Sequence, residues 1–190
     1  MKYCEMGGIL RALQATENPI GDYLKYLTSQ GMLVKDGIVS SLWGVYMETL
    51  EEGDLVLGDG VFRRLGQTIN IVQQMRDRER LFAVVHIEIS DEEVYKRLSG
   101  RLLCRQCGNT FNATLNPELT AGGRCPSCGG ELYRRNDDED KKAIENRIQA
   151  FYRDTTPCLE RLESQNLLVR VDGMRPTAEI FKEILEVIGK

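Results

Sequence analysis

Two cysteine pairs, Cys104-x-x-Cys107 and Cys125-x-x-Cys128, stand seventeen residues apart. At that spacing each tight turn can aim two thiolates at one tetrahedral ion, the ligand pattern of a zinc ribbon. The glycines that follow, Gly108, Gly129 and Gly130, permit the sharp backbone each knuckle needs. Four protein thiolates leave Zn²⁺ no open position for water or substrate, so its expected role is structural. Cys4 and Cys158 have no partner in sequence and are expected to be small buried apolar residues.

Arginine is the second chemistry-bearing residue. Between residues 101 and 135 five Arg stand against two Glu, in a chain whose net charge is −4. A basic flap on an acidic protein suits a polyphosphate, because planar guanidinium groups pair with phosphate oxygens two at a time. The same acidic balance, with no run of Lys and Arg, argues against a nucleic-acid partner. No segment is long and apolar enough for a membrane span, and the N-terminus lacks a signal-peptide pattern, so a cytoplasmic protein with no membrane partner is expected. In that reducing compartment C-x-x-C pairs favour metal over disulfides. His86, the only histidine, lies in an apolar run and reads as a core or sheet-edge histidine rather than a catalytic one.

The elements that would position these groups alternate helix-like and strand-like, as in a parallel α/β sheet. Asn18-Pro19 reads as an N-cap and first helical residue, with Ile20, Tyr23, Leu24 and Leu27 on one face. A second helix starts near Asp36 and runs to Gly53, and the apolar run Leu55-Val56-Leu57 predicts a buried strand. A helix through Ile69, Val72 and Met75 follows, then a strand over residues 81–89, then a helix with a Ser90/Glu93 capping box. From residue 101 to 135 periodicity vanishes, which predicts an inserted mini-domain held by something other than a hydrophobic core. Beyond it come a helix capped by Asp137 or Asp138 with Ile144, Ile148, Phe151 and Thr155 on one face, a helix from Thr156-Pro157, a strand over 167–171, and a helix over 177–188.

The run Leu98-Ser99-Gly100-Arg101, the two cysteine pairs, and Gly129-Gly130-Glu131-Leu132-Tyr133-Arg134-Arg135-Asn136-Asp137-Asp138 closely resemble the lid of bacterial zinc-lid adenylate kinases. The resemblance continues through Asn146-Arg147-Ile148, Tyr152, Thr155-Thr156-Pro157 and Val171-Asp172-Gly173. It implies a P-loop NTPase-like α/β fold, a parallel sheet with helices on both faces and a zinc-ribbon lid inserted at residues 101–136. Residues 1–100 would form a partial core, with an AMP-binding segment at about 6–35, and residues 137–190 the rest of the core. The activity implied is reversible phosphoryl transfer between ATP and AMP, giving two ADP, with Mg²⁺ accompanying ATP and a monomer as the full-length form. Such transfer depends on positioning and spread positive charge. By resemblance Arg97, Arg101, Arg135 and Arg147 close on the phosphates, and Asp59 orders the Mg²⁺ shell. Gly7, Arg11, Met32, Leu33, Val34, Gly60, Arg63 and Gln67, with Arg135 and Arg147, would hold AMP. Arg97, Arg101, Thr110, Phe111 and Arg175 would hold ATP. Arg97 and Arg101, four apart, are expected to share a helix face.

Two family patterns are altered. Asp-Gly-Phe-Pro-Arg appears as Asp59-Gly60-Val61-Phe62-Arg63, and Thr-Gly-Asp as Met6-Gly7-Gly8, which loosens the expectation of strict adenine selectivity. The sequence also contains no G-x-x-x-x-G-K-[ST], the loop whose amides and lysine hold the phosphates. Met1 aligns with the strand after that loop, so the family's first strand, loop and first helix are absent from these residues. The favoured expectation is a natural protein recorded from an internal methionine, with a gap of about 10 Å in the sheet and no activity for the 190 residues alone. Supply of the loop by another chain and an adapted fold are the other two explanations. The competing functions are a non-catalytic nucleotide-binding relative and a zinc-ribbon adaptor.

Overall fold

The first strand, β1 (Lys2–Glu5), runs parallel to β2 (Val56–Asp59), with Cys4 opposite Gly58 and Glu5 opposite Asp59. Three helices connect them: α1 (Met6–Gln14), α2 (Pro19–Ser29) and α3 (Asp36–Glu48). The structure is a computed structural model that describes residues 1–29, 33–134, 138 and 141–189. It divides into two compact units, one of residues 1–84 and 154–168, the other of residues 85–153 and 169–190.

In the first unit α2 begins where Asn18 places it, for Asn18 Oδ1 accepts from the amides of Ile20 and Gly21 at 2.9 and 3.0 Å. Leu24 and Leu27 are buried, whereas Ile20 and Tyr23 of the same expected face are exposed. The core gathers Cys4, Met6, Leu24, Val39, Trp43, Met47, Ile71 and Met75. Gly58 of β2 lies close under Trp43: a Cβ there would stand 3.1 Å from the ring, tighter than ordinary contact. Two more helices complete the unit, α4 (Leu65–Asp77) and α7 (Thr156–Glu163), which pack together. The expected buried strand is corrected here, since Leu55 and Leu57 are exposed. A strand in a two-stranded ribbon has too little covering structure to bury both of its faces.

The second unit holds most of β3 (Val84–Glu88) and β7 (Leu168–Asp172), the helices α5 (Asp91–Ser99), α6 (Lys141–Ala150) and α8 (Thr177–Val187), and a three-stranded antiparallel sheet. β3 and β7 run in the same sense, because Val84 N–H donates to Leu167 O at one end and Gly173 N–H to Glu88 O at the other. Leu81 is fully exposed, so β3 starts later than the apolar run suggested. Ser90 Oγ accepts from the Glu93 amide at 3.2 Å, while the Glu93 carboxylate turns to Arg97 at 2.7 Å, leaving half a capping box. The helix expected to continue through Thr155 changes register: α6 passes into a single π-helical turn, Phe151–Thr155, before α7. The four core strands pair two by two, β1 with β2 and β3 with β7.

Candidate functional site

In the inserted sheet β4 (Arg101–Cys104) lies between β5 (Thr110–Asn112) and β6 (Leu132–Tyr133). Leu102 and Leu132 are fully buried beneath it beside Cys104 and Cys125. The sulfurs of Cys104, Cys107, Cys125 and Cys128 lie within 4.8 Å of one another, at 3.4 Å for Cys104–Cys128 and 3.7 Å for Cys107–Cys125. Four sulfurs about 2.3 Å from a tetrahedral Zn²⁺ would be about 3.8 Å apart, so the set fits that ion. All six cysteines are free thiols, with Cys4 and Cys158 buried as expected. Gly108 and Gly129 take φ of 73° and 76°, and their amides close the knuckles onto Cys104 O and Cys125 O at 3.1 and 2.8 Å. The Cys107 amide, helped by that of Gln106, draws the Cys104 thiol down to about 6 against the cost of burial. The thiolate that a metal requires is thereby favoured at Cys104, whereas Cys128, despite the Gly130 amide, is pushed up to about 12 by the neighbouring Cys107 and Cys104 sulfurs.

A concavity of about 550 Å³ opens beside the same sheet, lined by Arg97, Arg101, Thr110 and Phe111 together with Asn112 and Leu115. Helix α5 ends at Ser99 and Arg101 opens β4, so the two arginines do not share a helix face as the spacing implied. They meet because the chain turns at Gly100, where a Cβ would collide with Asn112 Oδ1 and Thr114 Oγ1 at 2.4 Å. Arg97 donates to Gly173 O at 3.1 Å. Gly173 admits no side chain, since Ile87 and Ile89 would stand 2.6 and 2.7 Å from its Cβ. Arg175 is taken up by Glu183 and Asp172 and does not line the concavity.

Of the two expected helix caps, Asp137 lies outside the described residues and Asp138 is engaged by two arginines. Its side chain is fully buried and receives Arg101 Nε and Nη2 on Oδ2 at 2.8 and 2.5 Å and Arg147 Nη1 on Oδ1 at 2.7 Å. One carboxylate thus orients two of the predicted phosphate arginines.

In the first unit the register Glu5 opposite Asp59 brings the start of α1 and the loop after β2 side by side at the carboxyl ends of parallel strands, where α/β proteins bind ligands. Gly7 and Arg11 follow one strand, and Gly60, Arg63 and Gln67 the other. Gly60 has φ of 70°, and a Cβ there would lie 2.9 Å from the Arg63 guanidinium. Buried Gln67 accepts from the Arg63 amide at 3.3 Å. Asp59 accepts from Tyr3 Oη at 3.0 Å, a bond that raises the tyrosine's pKa. Val34 packs in the core and Leu33 is exposed. Met32 and Arg135 lie outside the described residues.

Arginines and glycines at two strand ends, and an arginine-lined concavity beside a four-thiolate lid, define a phosphotransferase of the nucleoside monophosphate kinase class. Comparison with known proteins agrees. Residues 101–137 match the family model described as "Adenylate kinase, active site lid". The chain is 36% identical over 179 residues to the adenylate kinase of Alkaliphilus oremlandii, covering 93% of this chain and 80% of that protein. To that of Syntrophobacter fumaroxidans it is 33% identical over 187 residues, covering 96% and 85%. To that of Methanothrix thermoacetophila it is 31% identical, covering 100% and 87%. The chain belongs to the adenylate kinase family.

Proposed function

We propose that the chain supplies the lid and the AMP-binding parts of an enzyme of reversible phosphoryl transfer between ATP and AMP, with ATP on the lid side and AMP at the ends of β1 and β2, and that turnover also needs a phosphate-binding loop. The observation that carries this reading is the concavity lined by Arg97, Arg101, Thr110 and Phe111, which combines charge for phosphates with an aromatic and apolar wall for a base. Transfer through a loose transition state spreads charge over the equatorial oxygens, so its rate depends on preorganised guanidinium groups. Arg97 and Arg101 would face the ATP phosphates, Arg147 the transferring group, and Arg11 and Arg63 the AMP phosphate. Gly7, Gly60, Gln67, Leu33 and Val34 would border the nucleoside of AMP, and Arg175 the edge of the ATP base. Met32 and Arg135, at matching positions in the sequence, join this assignment from the resemblance alone.

Asp59, exposed at a strand end with Oδ2 taken by Tyr3, keeps an oxygen for the water shell of Mg²⁺. Mg²⁺ accompanying ATP would supply positive charge to offset that of the phosphates. Zn²⁺ on the four thiolates would only order the lid, which we assign to residues 101–136, between core segments 1–100 and 137–190. No helix is long and apolar enough to cross a membrane among the described residues. A cytoplasmic protein that is a monomer in its full-length form, with no nucleic-acid or membrane partner, remains our reading.

The test is calorimetry with two adenosines joined by five phosphates. The chain should bind this compound, and replacing both Arg63 and Arg147 by Ala should abolish binding. Unaltered affinity in the double variant would make these arginines ordinary surface charges.

A further inference from the structure

The predicted AMP-phosphate arginines differ in one respect. Arg63 has no ion-pair partner among the described residues, whereas Arg11 Nη2 lies 2.5 Å from Glu5 Oε1. Glu5 is the last residue of β1 and the N-cap residue of α1, yet its side chain makes no capping bond. A carboxylate at an N-cap ordinarily accepts from the free amides of the first helical turn. Here it bypasses them and reaches one and a half turns along the helix to a guanidinium. The two glycines between leave the path open: a Cβ at Gly8 would stand 3.0 Å from Glu5 Oε2, and one at Gly7 would stand 3.1 Å from Arg11 Nη1.

We propose that Glu5 is a built-in counter-anion for Arg11, which a nucleotide phosphate must displace, so that Glu5 sets the affinity of the monophosphate subsite. This rests on the reading of Arg11 as a phosphate ligand. The pair is half exposed, at 55% for Arg11 and 44% for Glu5. Water screens the attraction, so the carboxylate can swing away as the phosphate arrives. A phosphate also brings more charge and three oxygens to the same fork of donors, and it wins the exchange. Glu5 then stays next to an anion, which adds repulsion to the cost of the lost pair. Its opposite neighbour in the sheet is Asp59, so the carboxylate leaves toward an already negative strand end. Both effects weaken the bound state, and both vanish when the charge on residue 5 is removed.

The experiment is calorimetry of the five-phosphate bisubstrate compound at low ionic strength on the 190-residue chain and on Glu5→Gln, Arg11→Ala and the double variant. Each protein's fold is checked by circular dichroism, and Glu5→Ser replaces Glu5→Gln should the latter misfold. Glu5→Gln should bind about two- to fivefold tighter, the range an exposed ion pair supplies. That gain should disappear in the Arg11→Ala background. Equal or weaker binding by Glu5→Gln, with Arg11→Ala still weakened, overturns the proposal and leaves the phosphate reading intact. A gain that persists undiminished without Arg11 also overturns it, because Glu5 would then act only as a general charge. Wild-type affinity in Arg11→Ala, or no binding by any of the four proteins, removes the phosphate reading and this inference together.

Discussion

Asp138 and Glu5 each place a carboxylate on predicted phosphate arginines, but in opposite surroundings. Asp138 has no exposed side-chain surface and grips Arg101 and Arg147 with both oxygens, while Glu5 touches Arg11 through one exposed contact. A buried ion lost from such a set costs about 3–5 kcal/mol. Because Arg101 and Arg147 are themselves 22% and 37% exposed, solvent reduces this to about 1–3 kcal/mol. Asp138→Asn should therefore lower stability by that amount in urea unfolding. It should also weaken bisubstrate binding although it removes a negative charge, since the two guanidinium groups lose the geometry that phosphate recognition needs. Tighter binding by Asp138→Asn would show that it competes with phosphate as Glu5 is proposed to do. The arginines were legible in the sequence from their motifs. Their acidic partners were not: Asp138 is 37 residues from Arg101, and which carboxylate meets which guanidinium depends on where the chain turns. Glu5 had a weak signal in its place just before Gly7-Gly8, where two missing side chains leave room for a carboxylate.

At the scale of elements, the lid is a sheet with only four buried residues among those described, two of them cysteines. So small a core cannot offset the entropy of ordering some thirty-five residues, and a structural Zn²⁺ contributes about 10–16 kcal/mol in comparable small domains. Protein purified without added zinc should carry about one ion per chain by metal analysis, and replacing Cys125 and Cys128 by Ser should remove it. The same replacement should open residues 101–136 to limited proteolysis while the rest of the chain stays resistant. Full zinc content in that variant would place the ion elsewhere. The ribbon was legible because cysteine spacing is a local property, and so were the caps at Asn18 and Ser90. Strand ends and burial were less so: Leu55, Leu57 and Leu81 are apolar but exposed, because burial depends on what the rest of the chain lays over a strand. The π-helical turn at Phe151–Thr155 was hidden for a related reason, since one extra residue in a turn leaves each flanking stretch with its ordinary helical period.

At the scale of the molecule, catalysis needs both substrates' phosphates held while charge moves between them. The arginines assigned above would orient ATP and AMP, but the β and γ phosphates are usually cradled by the amides and lysine of a G-x-x-x-x-G-K-[ST] loop. None of the 190 residues forms that motif. Among the described residues β1 pairs only with β2 and β3 only with β7, so an added strand would have an edge to pair with. Losing one preorganised donor commonly costs about 10²–10³-fold in rate, and a missing loop removes several donors and a cation together. These 190 residues alone should therefore give no measurable transfer between ATP and AMP. The same residues preceded by a family-like strand, Gly-rich loop and helix should gain it. A coupled assay of ADP formation, on protein made in a host without its own adenylate kinase, reads both. Because the added segment brings the lysine as well as the strand, replacing that lysine by Met in the extended protein separates the two contributions. A folded but inactive lysine variant is the expected result, and robust turnover by the 190 residues alone would mean that groups within them already perform the loop's work.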